Sequence, residues 1–188
     1  DVCSSDLNTG IPGIAAVREA RRALDDVGKT GEVTLVFAGG IRDGADMAKA
    51  LALGADAIAV GTGALIALNC NKDIPEADFE KELGVSAGDC YHCHTGRCPA
   101  GVATQSSWYQ RGLNVDDKAM RMGRYLQSFR KELLSLSHVS GYQHPAQFIG
   151  QDIEVSSGVN KFSTMDQIFG YTKTPVPFTS MLDYSEDK

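Results

Sequence analysis

The chain has 188 residues, 43% of them apolar and 22% charged, and carries a formal net charge of -6 at pH 7. That balance is ordinary for a globular domain, and it disfavours nucleic acid or an anionic membrane surface as a partner because no basic stripe offsets the acidic excess. No apolar run approaches the roughly 20 residues that cross a bilayer, so no membrane association is expected.

Residues 1–7 have neither the basic start nor the apolar stretch of a secretory signal. They read as a non-native leader and are set aside, Cys3 with them. With no secretion signal, the expected compartment is the reducing cytoplasm.

Pro12 suits the first turn of a helix and Gly28 its end. Between them Ile14, Val17, Leu24 and Val27 share a face, while Arg18, Glu19, Arg22 and Asp25 fall mostly elsewhere. Residues 33–38 form a short β-rich run ending at Gly39-Gly40, as a buried parallel strand would. Asp43 can cap a helix over 45–53 that Gly54 closes. Residues 57–60 are a second apolar run, ending at Gly61-Thr62, and 64–68 start another helix. Helix, strand, helix, strand with short connections predicts a parallel α/β sheet.

Residues 69–105 are rich in glycine and proline and read as a long loop, which in a compact domain is usually functional. Val115, Ala119, Met122, Leu126, Phe129, Leu133 and Leu136 then recur at alternating spacings of four and three. That predicts a long amphipathic helix, with Asp116 and Asp117 at its positive end and Gly141 as its stop. Beyond Gly150 periodicity is weak, and the tail is expected to wrap rather than to build core. Trp108 and the methionines read as packing residues, and His138 and His144 as surface or capping residues.

Two strand ends carry the first candidate site. Glycines at 39, 40 and 61 let backbone N–H groups approach an anion with no Cβ in the way. Thr62 adds a hydroxyl, and Arg42 a fork matched to phosphate. Either turn alone is as well explained by tight backbone geometry. Two of them one βα unit apart favour phosphate, which in eight-stranded barrels commonly binds beyond strands seven and eight.

The second candidate site is the cysteine cluster. Cys90, Cys93 and Cys98 fall within nine positions, poor spacing for disulfides and good spacing for a metal. An iron–sulfur centre is favoured, since thiolates on one short loop can wrap a cluster and Pro99 follows the last of them. Structural zinc is the rival, with His92 and His94 available beside the thiolates. A thioredoxin-like pair or buried free thiols fit the pattern less well.

These residues resemble a known family. The run Gly39-Gly40-Ile41-Arg42-Asp43-Gly44-Ala45-Asp46 and its continuation to Ala57 look like the last βαβ unit of the glutamate synthase FMN barrel. Inosine monophosphate dehydrogenase and the flavin-dependent hydroxy-acid oxidases share a looser version. Cys93-His94, then Cys98-Pro99 and Gly101-Val102-Ala103-Thr104-Gln105, is similar to a signature of the same synthases. The likeness runs from about residue 11 to about residue 153.

The resemblance implies the C-terminal part of a (β/α)8 TIM barrel with an iron–sulfur loop and a C-terminal helical extension. Residues 8–68 would hold the last βα units, 69–105 the cluster loop, and 106–188 a helix and tail. It implies that Gly39, Gly40, Arg42, Gly61 and Thr62 surround the FMN phosphate. It implies a 3Fe-4S cluster held by three cysteines, of which Cys93 and Cys98 match the second and third. The family's first cysteine position falls on Ala87 here. Either Cys90 takes that role, or Cys70 joins as a fourth ligand of a 4Fe-4S centre. The implied reaction is hydride delivery from reduced FMN to 2-iminoglutarate, made from 2-oxoglutarate and ammonia, free or derived from glutamine. Electrons would come through the cluster from an electron-donor subunit or ferredoxin. Read as a fragment, the chain is expected to be inactive alone. The alternatives are another FMN barrel oxidoreductase and a zinc-binding structural module.

Overall fold

The structure is a computed structural model, and it describes residues 11–70, 92–98 and 100–170. Two compact units divide these residues: one from within 1–61 and 129–188, the other from within 62–128.

The first unit opens with helix α1 (Gly13–Asp26), which Pro12 precedes as predicted. Its buried face is not quite the predicted one. Val17 is buried, but so are Arg18 and Arg21, and Val27 is exposed. Protein oxygens receive donors from both arginines. Arg21 Nε donates to the Gly54 carbonyl at 2.8 Å and Arg21 Nη2 to Asp56 Oδ2 at 2.6 Å. Arg18 Nη2 donates to the Gly170 carbonyl at 3.2 Å.

Strand β1 (Val36–Ala38) covers only the second half of the predicted run. Helix α2 (Gly44–Ala52) and strand β2 (Ala57–Ala59) lie where predicted. The strands pair in parallel, Val36 with Ala57, Phe37 with Ile58 and Ala38 with Ala59. The predicted parallel sheet is present, as two strands among the described residues. Its burial is one-sided: Phe37 is buried while Val36 is 54% exposed. A parallel strand is apolar throughout because both faces are normally covered; here the described residues cover one.

Helix α2 packs hard against the later part of the same unit. Ala50, Ala52 and Leu53 are fully buried. Ala48 and Ala52 form a core with Phe148, against which Leu133, Leu136, Tyr142 and Ile153 pack. Small alanines on this face let neighbouring elements come close. The rings of Tyr142 and Phe148 meet edge to face, with centroids 5.9 Å apart, a favourable arrangement of their quadrupoles.

The segment from Gly150 to Gly170 differs from the expected wrapping tail, whose remainder, 171–188, lies outside the described residues. It forms an antiparallel hairpin, β3 (Glu154–Gly158) and β4 (Lys161–Thr164), which leads into the short helix α6 (Met165–Phe169). Met165 is buried, so this segment contributes to the core. Asn160 turns the hairpin with φ 56°, a conformation asparagine tolerates better than most residues. Thr164 opens α6 with a capping box, and Gly170 ends it in the left-handed region. The Thr164 hydroxyl bond to Asp166 is the main cause that holds the Asp166 carboxyl below its ordinary 3.8, against a smaller upward push from burial.

The second unit begins with the short helix α3 (Thr62–Ala67). Its other described elements are a 3-10 turn (His92–Thr95), helix α4 (Ser107–Gln110) and the start of the long helix α5 (Val115–Val139). From Phe129 onward α5 belongs to the first unit. The long helix is present as predicted, but its inward stripe is rotated. Val115, Ala119 and Leu126 are exposed, while Lys118 and Phe129 are buried and Met122, Tyr125, Leu133 and Leu136 half-buried. Spacings of three and four survive this change; the long Lys118 stem takes a place that its charge argued against. Trp108 is not a packing residue: it is 68% exposed, with the Arg111 guanidinium 4.9 Å from its ring centre. His138 is exposed, and His144 caps a 3-10 turn through Nδ1, which accepts from Ala146 N at 3.1 Å.

Among the described residues no helix is long and apolar enough to cross a membrane.

Candidate functional site

The parallel register puts the C-terminal ends of β1 and β2 side by side, so Gly39-Gly40 and Gly61 leave the sheet at the same edge. Gly39 and Gly40 have φ of 137° and 67°, a region L side chains rarely enter. A Cβ built on Gly39, Gly40 or Gly61 would meet no atom within 4 Å. Among the described residues the space over these peptides is therefore open, and the glycines serve backbone shape and access rather than tight packing. Glycine peptides with nothing above them leave room for an anion such as a phosphate to approach. Thr62, next in the chain, starts α3 and is half-buried.

Arg42 is 81% exposed on its side chain, with Nε 3.8 Å from Asp46 Oδ2. The same carboxylate accepts from the Arg42 backbone N–H at 3.3 Å. Its other oxygen pairs with Lys49 Nζ at 3.1 Å. Arg42 thus reaches solvent on a long stem, loosely held by an acidic neighbour in the first turn of α2. Ile41 is buried, and anchors the turn between the glycines and Arg42.

Asp43 caps α2 as expected, accepting from Asp46 N at 2.9 Å. A partner that local sequence does not announce stands beside it. Glu132 of α5 accepts the Gly44 N–H at 2.8 Å through Oε2. A Cβ on Gly44 would lie 2.6 Å from Leu133 N, so only glycine permits this approach. The opposite ends of the strands have their own clasp. Asp56 Oδ2 accepts from Leu35 N at 2.7 Å and from Arg21, joining the starts of both strands to α1. Neither Glu132 nor Asp56 has a motif, because both partners are long-range.

The cysteine loop is described in part. Cys90 and the segment 71–91 lie outside the described residues, as does Pro99. Cys93 sits exposed in the 3-10 turn, Cys98 is buried, and Cys70 is half-buried after α3. Among the described residues no three His, Cys, Asp or Glu side chains gather as a metal site. The donor chemistry of Cys93 and Cys98 suits iron–sulfur or zinc alike. Gly96, with φ 70°, turns the chain between them.

The continuation of the loop is tightly held. The Thr104 hydroxyl donates to the Gly96 carbonyl, which closes the turn back on itself. Thr104 Oγ1 also accepts from Ser106 N at 3.1 Å. Gly101 has φ 76°, and a Cβ there would stand 2.8 Å from both Leu113 N and the Tyr109 carbonyl. Ala100 is buried beside Cys98 in sequence. The Gly-Val-Ala-Thr run therefore has structural work of its own, whatever the thiols hold.

Comparison with known proteins gives a consistent result. Residues 3–75 and 81–143 match the family described as a conserved region in glutamate synthase. Over 137 residues the chain is 42% identical to a glutamate synthase large subunit-like protein of Rhizobium meliloti (strain 1021), covering 73% of this chain and 31% of that protein. Over 126 residues it is 34% identical to an archaeal glutamate synthase (NADPH) of Archaeoglobus fulgidus, covering 67% of this chain and 21% of the relative. A protein of the same description from Methanocaldococcus jannaschii is 31% identical over 134 residues, 71% of this chain and 23% of its own length. The chain spans about a third or less of the length of these relatives.

Proposed function

This chain belongs to the glutamate synthase family, and from that premise we propose that it forms the phosphate-gripping, cluster-carrying end of an FMN-dependent synthase barrel. The observation that carries the reading is the pair of parallel strands whose glycine ends emerge side by side into open space. The intact protein, an oxidoreductase, would make glutamate from 2-oxoglutarate and ammonia in the cytoplasm. Its reductant would arrive from an electron-donor subunit or ferredoxin.

Bound FMN would supply hydride chemistry and an iron–sulfur cluster single-electron transfer, neither of which side chains can provide. The residues of this chain bind and orient. Gly39, Gly40 and Gly61 offer peptide N–H groups to the flavin phosphate, and Thr62 a hydroxyl. Arg42 adds positive charge from its exposed stem. Asp46 beside it keeps that stem near the turn without burying it. Cys90, Cys93 and Cys98 would hold the cluster, a 3Fe-4S centre in the preferred reading and 4Fe-4S if Cys70 joins. Closure of the loop by Thr104 onto Gly96 holds the segment that carries Cys98.

The test uses the intact protein purified without oxygen. Gly40→Val places a branched side chain over the cradle and in a strained backbone region. Flavin content is expected to fall at least about tenfold, since phosphate contacts are charge-assisted. A variant that keeps wild-type flavin content would remove the phosphate assignment. Metal and acid-labile sulfide analysis checks the thiols. Stoichiometric zinc without sulfide would replace the electron-transfer role by a structural one.

A further inference from the structure

The amino end of α2 is crowded with carboxylates. Asp43 receives the Asp46 N–H, Asp46 the Arg42 N–H, and Glu132 the Gly44 N–H. The first two bonds are local to the turn. The third comes from a helix 88 residues further along the chain. A helix amino terminus is ordinarily attractive to an anion. Here the protein's own negative charges take up that end, and a phosphate placed there would meet three carboxylates. An anion is thereby directed to the glycine half of the turn, ahead of the buried Ile41.

We propose that Glu132 is a positioning residue for this anion-binding turn: its carboxylate pins the first peptide of α2 and so sets the aim of the Gly39–Gly40 peptides. The inference rests on the flavin-phosphate reading of that turn. Its physical basis is a short segment fixed at both ends of its carboxyl half. Ile41 is sunk in the core at one end. Gly44 is held at the other, against a helix backbone so close that no Cβ fits. Removal of the acceptor would leave the Gly44 N–H with no carboxylate beneath it and free α2 to slide along α5. The glycine peptides, which have little side-chain anchorage of their own, would follow that movement. Glu132 touches no ligand itself; it acts only through Gly44.

The experiment measures FMN and riboflavin affinities of the deflavinated intact protein, by quenching of flavin fluorescence. Riboflavin lacks the phosphate and reports on everything else the flavin touches. Glu132→Met keeps the methylene stem and removes the acceptor; Glu132→Ala removes both and is the second lesion should the first fail to fold. Glu132→Gln keeps an acceptor oxygen. Either lesion should weaken FMN about tenfold, the scale of one hydrogen bond to a charged group, with riboflavin little changed. The Gln variant should restore the FMN preference to within about threefold of wild type, since it retains that bond. Equal weakening of both flavins would mean general loosening and would overturn the positioning role, as would an unchanged FMN preference in a folded lesion. A wild-type protein that does not prefer FMN to riboflavin would instead defeat the phosphate reading itself.

Discussion

Asp56 shows how much a single side chain can connect. One carboxylate oxygen receives the start of β1 through Leu35 N and the guanidinium of Arg21, whose side chain is 3% exposed. Arg21 in turn covers the Gly54 carbonyl. Deleting one member strands the others: a buried guanidinium without its carboxylate is costly because low dielectric surroundings favour charge only in pairs. Asp56→Ala is expected to destabilise the fold by about 2 kcal/mol, moderated because Asp56 is itself partly exposed to water. Asp56→Asn, which keeps one acceptor, should lose about half as much. Urea unfolding of the intact protein checks both, and a midpoint unchanged in Asp56→Ala would show that the clasp contributes nothing. The clasp lies at the strand starts, away from the glycine ends, so flavin content should be nearly unaffected.

At the scale of elements, the loop and helix around Gly101 act as a joint. Cys98, Ala100 and Gly101 are buried, and Gly101 lies against backbone atoms of Leu113 and Tyr109. Its left-handed φ adds a second reason for glycine. Gly101→Ala combines steric clash with backbone strain, and strain of this kind costs of order 1–3 kcal/mol. The melting temperature should drop by several degrees, in the range expected for that loss in a domain of this size. Cluster iron should fall with it if Cys98 depends on the joint. A Gly101→Ala protein that melts like wild type would mean that the loop relaxes freely around its glycine. The contrast with Gly40→Val is instructive: Gly40 is open above, so its substitution threatens binding, whereas Gly101 is closed in, so its substitution threatens folding.

At the scale of the molecule, the described strands leave apolar side chains exposed. Val36 stands 54% exposed on β1, and on the hairpin Val159 and Phe162 are exposed as well. The curated relatives are about three to five times longer than the stretch they share with this chain. Exposed apolar side chains and the edges of so short a sheet invite association. Residues 11–170 produced alone should therefore self-associate and bind a hydrophobic dye, and a net negative charge would only slow this. Size-exclusion chromatography with light scattering decides the matter; a monomer with a single cooperative unfolding transition would contradict it.

Sequence by itself determined the order and type of the elements in the first half of the chain. Asp43 as a cap, Gly54 and Gly141 as stops, and the glycine ends of two apolar runs are all local signals, set by backbone sterics and nearest neighbours. It also determined the family, because the glycine turn and the cysteine run are compact motifs. Tertiary structure alone decided which charges go inside. Arg18, Arg21 and Lys118 are buried against what hydropathy favours, and the arginines find oxygens that lie 33 and 152 residues away. It decided that Val115 and Leu126 face outward although their spacing matched the inner stripe. It turned the weakly periodic stretch between Gly150 and Gly170 into a hairpin whose closing helix buries Met165. And it brought Glu132 to Gly44. A contact across 88 residues depends on how two helices cross, and helix crossing is settled by the packing of whole surfaces rather than by any stretch of sequence.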